Sequence, residues 1–240
     1  MTTSIVGQGA TPAPRRPGRP RADGASPTGR GTESDLLSAA ARLFCTVGYT
    51  ATSTRAIADA AGVRQASMYH WFGTKAAILQ RLLLDSVEPS LESARLLLAR
   101  PEEPAVRLWA LARLDVELLC SGELNIGALY LLPEVAGDGF ATFREHREQL
   151  RAAYGELVAG AVRPDAGHDD AAAVVLTFVE SVILRRRDEP ELDAAKAGQR
   201  YADLVLRLLG LDDDDVARAR EAGSALADEA RPPKPVGRQN

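Results

Sequence analysis

Residues 52–75 read TSTRAIADAAGVRQASMYHWFGTK, and their spacing of apolar residues, glycines and aromatics is that of two short helices joined by a tight turn. Thr54 is placed to cap the first, which carries Ile57, Ala58 and Ala61. Gly62 supplies the turn, Val63 tucks inward, and the second helix runs over Gln65–Trp71 before Gly73 stops it. Thr74 is placed to cap a following helix containing Ala77, Ile78, Leu82 and Leu83. Upstream, Leu36, Ala40, Leu43, Phe44 and Val47 recur at three and four residues and mark one helix face, with Thr32 as its cap and Gly48 at its end. Residues 32–78 thus form a helix-turn-helix module.

A DNA-reading helix presents small or polar groups to base edges while the helix before it sits against the backbone. Arg64, Gln65, Ala66 and Ser67 occupy the N-terminal end of the second helix of the pair. Arg64 suits guanine O6 and N7 or a phosphate, Gln65 suits adenine, and Ala66 suits a thymine methyl. Tyr69, His70 and Lys75 follow at the rim, where a phenol, an imidazole and an ammonium suit phosphate oxygens. Thr54, and Thr52 beside it, can hold a phosphate at the start of the preceding helix. Trp71 is either a wall of this footprint or a packing residue, and Phe72 belongs to the core.

The 240-residue chain is 45% apolar, with a net charge of −4 and a pI of about 5.5, so a DNA role has to rest on local basic regions. One is residues 1–31, with five arginines against the single acid Asp23. Within it, Arg15-Arg16-Pro17-Gly18-Arg19-Pro20-Arg21 reads as a disordered, AT-hook-type arm, Arg19 lying at its Gly-Arg-Pro core and suiting a narrow minor groove. The other reading of this arm is a solvated basic tail. Cys45 and Cys120 read as buried small hydrophobes rather than a disulfide framework. With no long uncharged apolar run and no signal region, a cytoplasmic protein without a membrane partner is expected.

The module resembles the TetR family of bacterial transcriptional regulators. The resemblance covers Leu36–Leu79. It is carried by Ala40-Ala41, Leu43-Phe44, Gly48-Tyr49, Thr54, Ile57-Ala58, Ala61-Gly62-Val63, Ser67, Tyr69, His70, Phe72, Lys75 and Leu79. Met68 fills a family position that usually holds Leu or Ile. The spelling Tyr69-His70-Trp71-Phe72 displaces the tyrosine/histidine pair by one residue from its usual relation to Phe72, which leaves either His70 or Trp71 for the second phosphate contact. The resemblance implies an all-α protein: the N-terminal helix-turn-helix module, then a larger helical domain that binds an effector and forms a homodimer. It also implies a ligand-responsive regulator, a repressor in the family's usual mode, in which effector binding shifts the helix after Lys75 and releases a palindromic operator.

Helices are expected at 75–99, 103–121, 140–162, 169–187, 191–209 and 213–228, with no alternating strand runs. The effector and dimerisation domain is placed at residues 79–210, and an acidic helix and flexible tail at 211–240. Apolar candidates for the effector pocket are Trp109, Leu114, Leu118, Leu129, Tyr130, Phe140, Phe143 and Phe178, each of which also reads as ordinary core. They suit a hydrophobic or amphipathic small molecule. Glu117, Glu123, Asn125, Glu134, His146 and Glu180 are candidates for polar specificity. Val174, Val175, Phe178, Val182, Tyr201, Leu204, Val205 and Leu208 are the candidate dimer interface on the last two long helices, a surface that can also serve as intramolecular core. Arg185-Arg186-Arg187 reads as a solvated helix-end cluster, or as a site for the phosphates of an acyl-coenzyme A.

No catalytic motif is expected. The three histidines, His70, His146 and His168, are widely spaced, and no HExxH, CxxC or phosphate-binding glycine loop occurs. Neither a metal nor a cofactor is called for, and an enzyme is not expected. The competing reading is an architectural AT-rich DNA-binding protein led by the N-terminal arm.

Overall fold

The structure, a computed structural model, describes residues 26–162 and 170–232. The arm around Arg19, together with residues 163–169 and 233–240, lies outside the described residues. Among the described residues the fold is all-α, with ten α-helices and three short 3₁₀ turns. No helix there is long and apolar enough to cross a membrane.

The module is built from α1 (Thr32–Thr46), α2 (Thr54–Ala60) and α3 (Gln65–Trp71). Leu36, Ala40, Ile57, Ala58 and Met68 meet in its centre with no solvent exposure. Its helix ends differ in detail from the sequence reading. Thr32 is the first helical residue rather than the cap, and the start of α1 is held by the buried Asp35 carboxylate. That carboxylate accepts from the Ser26 hydroxyl (2.8 Å) and the Thr28 amide (2.8 Å). Ser53, not Thr54, caps α2, its hydroxyl accepting from the Ala56 amide at 3.0 Å. Val47, read as part of the buried stripe, is 56% exposed because α1 has ended before it and the chain turns at Gly48 with φ of 98°. Gly62 makes the sharp turn before α3 with φ of 65°, a conformation that costs glycine little.

The fourth helix, α4 (Lys75–Leu98), is capped by Thr74 and belongs to both parts of the molecule. At 24 residues it spans about 36 Å, long enough to carry a shift from one to the other. Its first turns pack Ile78 and Leu79 into the module; its later ones pack Leu91, Ala94 and Leu97 into the larger domain.

That domain is organised around α5 (Pro104–Cys120), which is apolar on nearly all sides, the signature of a helix buried in a bundle. Leu108, Trp109, Ala110, Leu111, Ala112 and Val116 have no solvent exposure. Around it lie α4, α6 (Ala141–Ala161), α7 (Ala171–Glu180), α8 (Val182–Asp188), α9 (Ala194–Leu208) and α10 (Asp213–Glu229). The 3₁₀ turns Ile126–Leu131, Pro133–Ala136 and Asp138–Phe140 bridge α5 and α6.

The single helix expected over 169–187 is interrupted at Ser181. Its hydroxyl donates to the Phe178 carbonyl at 2.6 Å, and its amide is shared between the Thr177 and Phe178 carbonyls. This tightened turn starts α8 on a new course.

The acidic run Asp212–Asp215 has a local purpose. Asp212 caps α10 by accepting from the Asp215 amide at 2.8 Å, and the other three acids occupy its first turn, where the helix dipole favours negative charge. The helix is clasped to the bundle. Trp109 donates its indole N–H to Asp203 (2.9 Å), and Arg220 of α10 donates to the same carboxylate (2.7 Å). Gly223 lets α10 lie against the indole: a β-carbon there would stand 2.7 Å from Trp109 Cε3 and 3.2 Å from the Val106 carbonyl. Gly223→Ala is therefore predicted to destabilise the protein by about 1–3 kcal/mol, read from urea melts, and an unchanged midpoint would contradict this packing.

Candidate nucleic-acid interface and effector core

α3 turns one residue inward and nearly all others outward. Met68 is fully buried and anchors the helix, while Arg64, Gln65, Ala66, Ser67, Tyr69, His70 and Trp71 form one exposed surface. Arg64 makes no ion pair among the described residues, so its guanidinium is available to a base or a phosphate. Thr54 ties α2 to the reading helix: its hydroxyl lies 3.3 Å from the Tyr69 hydroxyl and accepts from the Gln65 amide at 3.2 Å. Trp71 is 49% exposed and edge-on to His70 with ring centroids 6.2 Å apart, so it belongs to the surface; Phe72, at 8%, belongs to the core.

Two expected phosphate contacts are corrected. Thr52 is 4% exposed, and its hydroxyl donates inward to the Gly48 carbonyl at 2.7 Å. The Lys75 ammonium donates to the carbonyls of Tyr49 (2.7 Å) and Thr52 (2.9 Å) and sits 4.2 Å from the centre of the Tyr49 ring. The loop between α1 and α2 leaves carbonyls without helical partners, and a lysine with three donors satisfies them together. Lys75 is thus a positioning residue that secures the loop on which α2 begins.

The module also touches the larger domain through side chains of the α5–α6 connection. Arg42 pairs with Glu123 at 3.7 Å, the Cys45 thiol points at the Asn125 carbonyl at 3.7 Å, and the Thr50 hydroxyl donates to Glu134 at 3.1 Å. Asn125 donates in turn to the Ile183 carbonyl of α8 at 2.9 Å. Burial raises the Cys45 thiol to about 11 and also pushes up Cys120, so both are protonated packing groups.

The pocket candidates divide. Tyr130 is half-buried on the first 3₁₀ turn, its hydroxyl 2.7 Å from that of Ser86 on α4 and its ring 5.1 Å from Phe143 on α6. Phe178 stacks on Tyr201 at 5.0 Å, and Leu114, Leu129, Phe140 and Phe143 are buried, with Leu118 half-buried. Trp109 is corrected: it faces α9 and α10, locked by Asp203 and Gly223. Glu117 likewise lies against α9, buried beside Gly198 and paired with Arg113 (2.7 Å) and Arg231 (2.6 Å).

Beside Tyr130 lies a polar cluster whose centre the sequence reading missed. Asp115 on α5 is 2% exposed and accepts from the fully buried Tyr154 of α6 at 2.7 Å, with the Ser90 hydroxyl of α4 nearby. Arg147 of α6 is paired with Glu180 of α7 and lies 5.6 Å from the Tyr130 ring centre. His146 faces Glu88 at 3.9 Å. Burial pushes the Asp115 carboxyl up to about 6, against the lowering effect of the Ser90 and Tyr154 hydroxyls, and raises the Tyr154 phenol well above its usual range. Among the described residues no group of three or more His, Cys, Asp or Glu could hold a metal ion.

The expected interface on the last long helices also divides. Val175, Val182 and Val205 are at most 1% exposed and Tyr201 is 7% exposed, so they face the interior of the protomer. Val174 (53%) and Leu208 (50%) remain outward with the half-buried Phe178 and Leu204, and Leu184 (47%) joins them. The arginine run is not a uniformly solvated cluster. Arg186 is 6% exposed and donates to the carbonyls of Leu119 (2.9 Å), Ser121 (3.3 Å) and Leu124 (3.1 Å), as well as to Gly122. It thereby satisfies carbonyls at and beyond the end of α5, while Arg185 pairs with Glu189 and Arg187 with Asp188.

Lys75→Met is predicted to destabilise the protein by about 1–3 kcal/mol while leaving the salt dependence of DNA binding unchanged; a slope reduced by about one would mean that the ammonium reaches a phosphate. Asp115 holds its proton more tightly folded than unfolded, so ionisation costs stability. That cost is absent below about pH 4, rises with pH, and is complete above the folded value of about 6. Asp115→Asn, which keeps an acceptor for Tyr154, is predicted to melt above the wild type at pH 8 and to lose that advantage toward pH 4. A variant less stable at pH 8 would contradict the assignment.

The family described as "Bacterial regulatory proteins, tetR family" matches residues 36–82, the module together with the start of α4. The crystal structure of Mycobacterium smegmatis AmtR is 42% identical, with a TM-score of 0.74 over 92% of this chain and 100% of that one. The HTH-type transcriptional repressor KstR2 of Rhodococcus jostii is 34% identical over 100 residues, an alignment covering 42% of this chain and only about half (48%) of that protein. The ketosteroid transcriptional regulator KstR2 of Mycobacterium tuberculosis, at 22% identity and a TM-score of 0.65 over 75% of this chain and 95% of that one, shares the fold. From the module, the helical bundle and a likeness that runs the length of the AmtR chain, this protein belongs to the TetR family of bacterial transcriptional regulators.

Proposed function

We propose that this regulator is a repressor that binds a palindromic operator as a homodimer and leaves it when an amphipathic small molecule enters the larger domain. The observation that carries the DNA reading is the surface of α3. Its exposed residues from Arg64 to Ser67 and from Tyr69 to Trp71 make one polar and aromatic face around a single buried anchor, Met68. One such helix contacts only a few base pairs. Two copies related by a two-fold axis read two half-sites about 34 Å apart. Val174, Phe178, Leu184, Leu204 and Leu208 supply an apolar face for that pairing on α7, α8 and α9.

Repression is supported by the name of the Rhodococcus relative. The protein acts in the cytoplasm, where its DNA lies, and works by binding rather than catalysis. The acyl-coenzyme A reading loses its main support, because Arg186 is turned inward and its neighbours are paired with carboxylates.

Release follows two physical links. α4 joins the module to Ser86, which holds Tyr130; the α5–α6 connection joins Tyr130 to α1 through Glu123 and Asn125 and to the α1–α2 loop through Glu134. A ligand that moves Tyr130 shifts both, and lowers operator affinity by as much as it prefers the shifted state.

Selection of bound duplexes from a random DNA pool at physiological salt is expected to return a palindrome. Recovery of only AT-rich, non-palindromic DNA would overturn the proposal. On the selected site, Arg64→Ala is predicted to lose affinity by about 1–3 kcal/mol if its guanidinium reads a base, seen as a roughly 5- to 150-fold rise in Kd. Equal affinity would remove Arg64 from the reading surface.

A further inference from the structure

The polar cluster between α4, α5, α6 and α7 carries a statement about the effector's chemistry. It rests on the reading of the larger domain as an effector domain. We infer that Asp115 is the recognition point for a protonated amine, or a comparable cationic hydrogen-bond donor, borne on an apolar body that lies against Tyr130 and Phe143.

Three buried polar atoms of this cluster lack a hydrogen-bond partner, His146 Nδ1, Arg147 Nε and one oxygen of the Asp115 carboxyl. One carboxyl oxygen of Asp115, Oδ2, accepts from Tyr154 at 2.7 Å. The other, Oδ1, is buried and has no hydrogen-bond partner. A buried acceptor left without a donor is costly, and native interiors rarely keep one without a use. The position asks for no charge on packing grounds, since Leu108 and Leu111 on the same side of α5 are fully buried aliphatic residues.

Charge selects the ligand. The nearby Glu180 carboxylate is neutralised by Arg147, the two paired side chain to side chain. Asp115 has no cation beside it; its polar neighbours are the hydroxyls of Tyr154 and Ser90. An ionised Asp115 thus leaves the cluster one negative charge in excess. An anionic head would meet that charge unscreened, and a neutral head would leave it unbalanced, whereas a cationic donor supplies both the missing hydrogen bond and the missing charge. A bare metal ion is disfavoured, because one carboxylate is too few ligands for it.

The apolar side of the site is the Tyr130–Phe143 pair, whose ring centroids lie 5.1 Å apart. Tyr130 is the movable wall. It is half-buried, it sits on a short 3₁₀ turn rather than a long helix, and its chain segment is the one that touches α1. A ligand seated between Asp115 and Phe143 displaces the residue best placed to signal its arrival.

Isothermal titration of the full chain at pH 7.5 with octylammonium, octan-1-ol and octanoate, each below its micellar concentration, tests this. Octylammonium is expected to bind at least tenfold more tightly than the alcohol or the carboxylate. Asp115→Asn should bring it down to the level of the alcohol. Equal affinities, no binding by any of the three, or a preference that survives Asp115→Asn would overturn the inference. The wild-type ranking decides the matter even if a variant fails to fold. The regulator reading stands or falls separately on the selected operator: a duplex bound with a flat calorimetric ranking sinks only the amine site, and a firm ranking without operator binding sinks only the regulator.

Discussion

The ammonium of Lys75 holds the reading head in place. It gathers the carbonyls of Tyr49 and Thr52 and lies over the Tyr49 ring, closing the loop that leads from α1 into α2. The start of α2, and with it the Thr54 contacts to the reading helix, follow from that closure. Ser53 can cap α2 only where the loop delivers it, and Thr54 can reach Tyr69 and Gln65 only from the first turn of α2. Because Lys75 is also the first residue of α4, the same group joins the reading head to the helix that runs into the effector core. A movement of α4 therefore reaches the α1–α2 loop directly, at the cost of hydrogen bonds within a small module that has few to spare.

The larger domain answers a different constraint. α5 is enclosed by its neighbours, so a polar group on its inner faces has to find its partners inside the protein. Trp109 finds Asp203, and the ion pair of Asp203 with Arg220 draws α10 into the bundle. Asp115 finds Tyr154 and is left one bond short. The first arrangement is complete and serves stability. The second is incomplete, and its burial opposes ionisation. Sites that spend stability in this way are where function is to be sought.

The helix-turn-helix was legible because each of its features is local: an apolar stripe, a glycine turn, polar residues at the head of a short helix. Even there, hydrogen bonding overruled position. Thr52 and Lys75 have the chemistry of phosphate ligands, but the carbonyls that claim them come from a loop whose path no periodicity reveals. The break at Ser181 was hidden for a related reason, since a serine in an apolar run gives no sign that its hydroxyl will turn back to the Phe178 carbonyl. Aromatic residues were a poor guide to the effector core: Trp109 was drawn away by partners 94 and 114 residues further along, Asp203 and Gly223. A better signal was present. Asp115 stands four residues after Leu111 and seven after Leu108, which puts a carboxylate on the buried stripe of an otherwise apolar helix.

Two copies of the α3 surface are proposed to read DNA together. Hydroxyl-radical footprinting on a selected duplex tests it most directly. Two equal patches of protected backbone are expected, related by a two-fold axis and separated by about one turn of the double helix. A single asymmetric patch, or diffuse protection along the duplex, would contradict it.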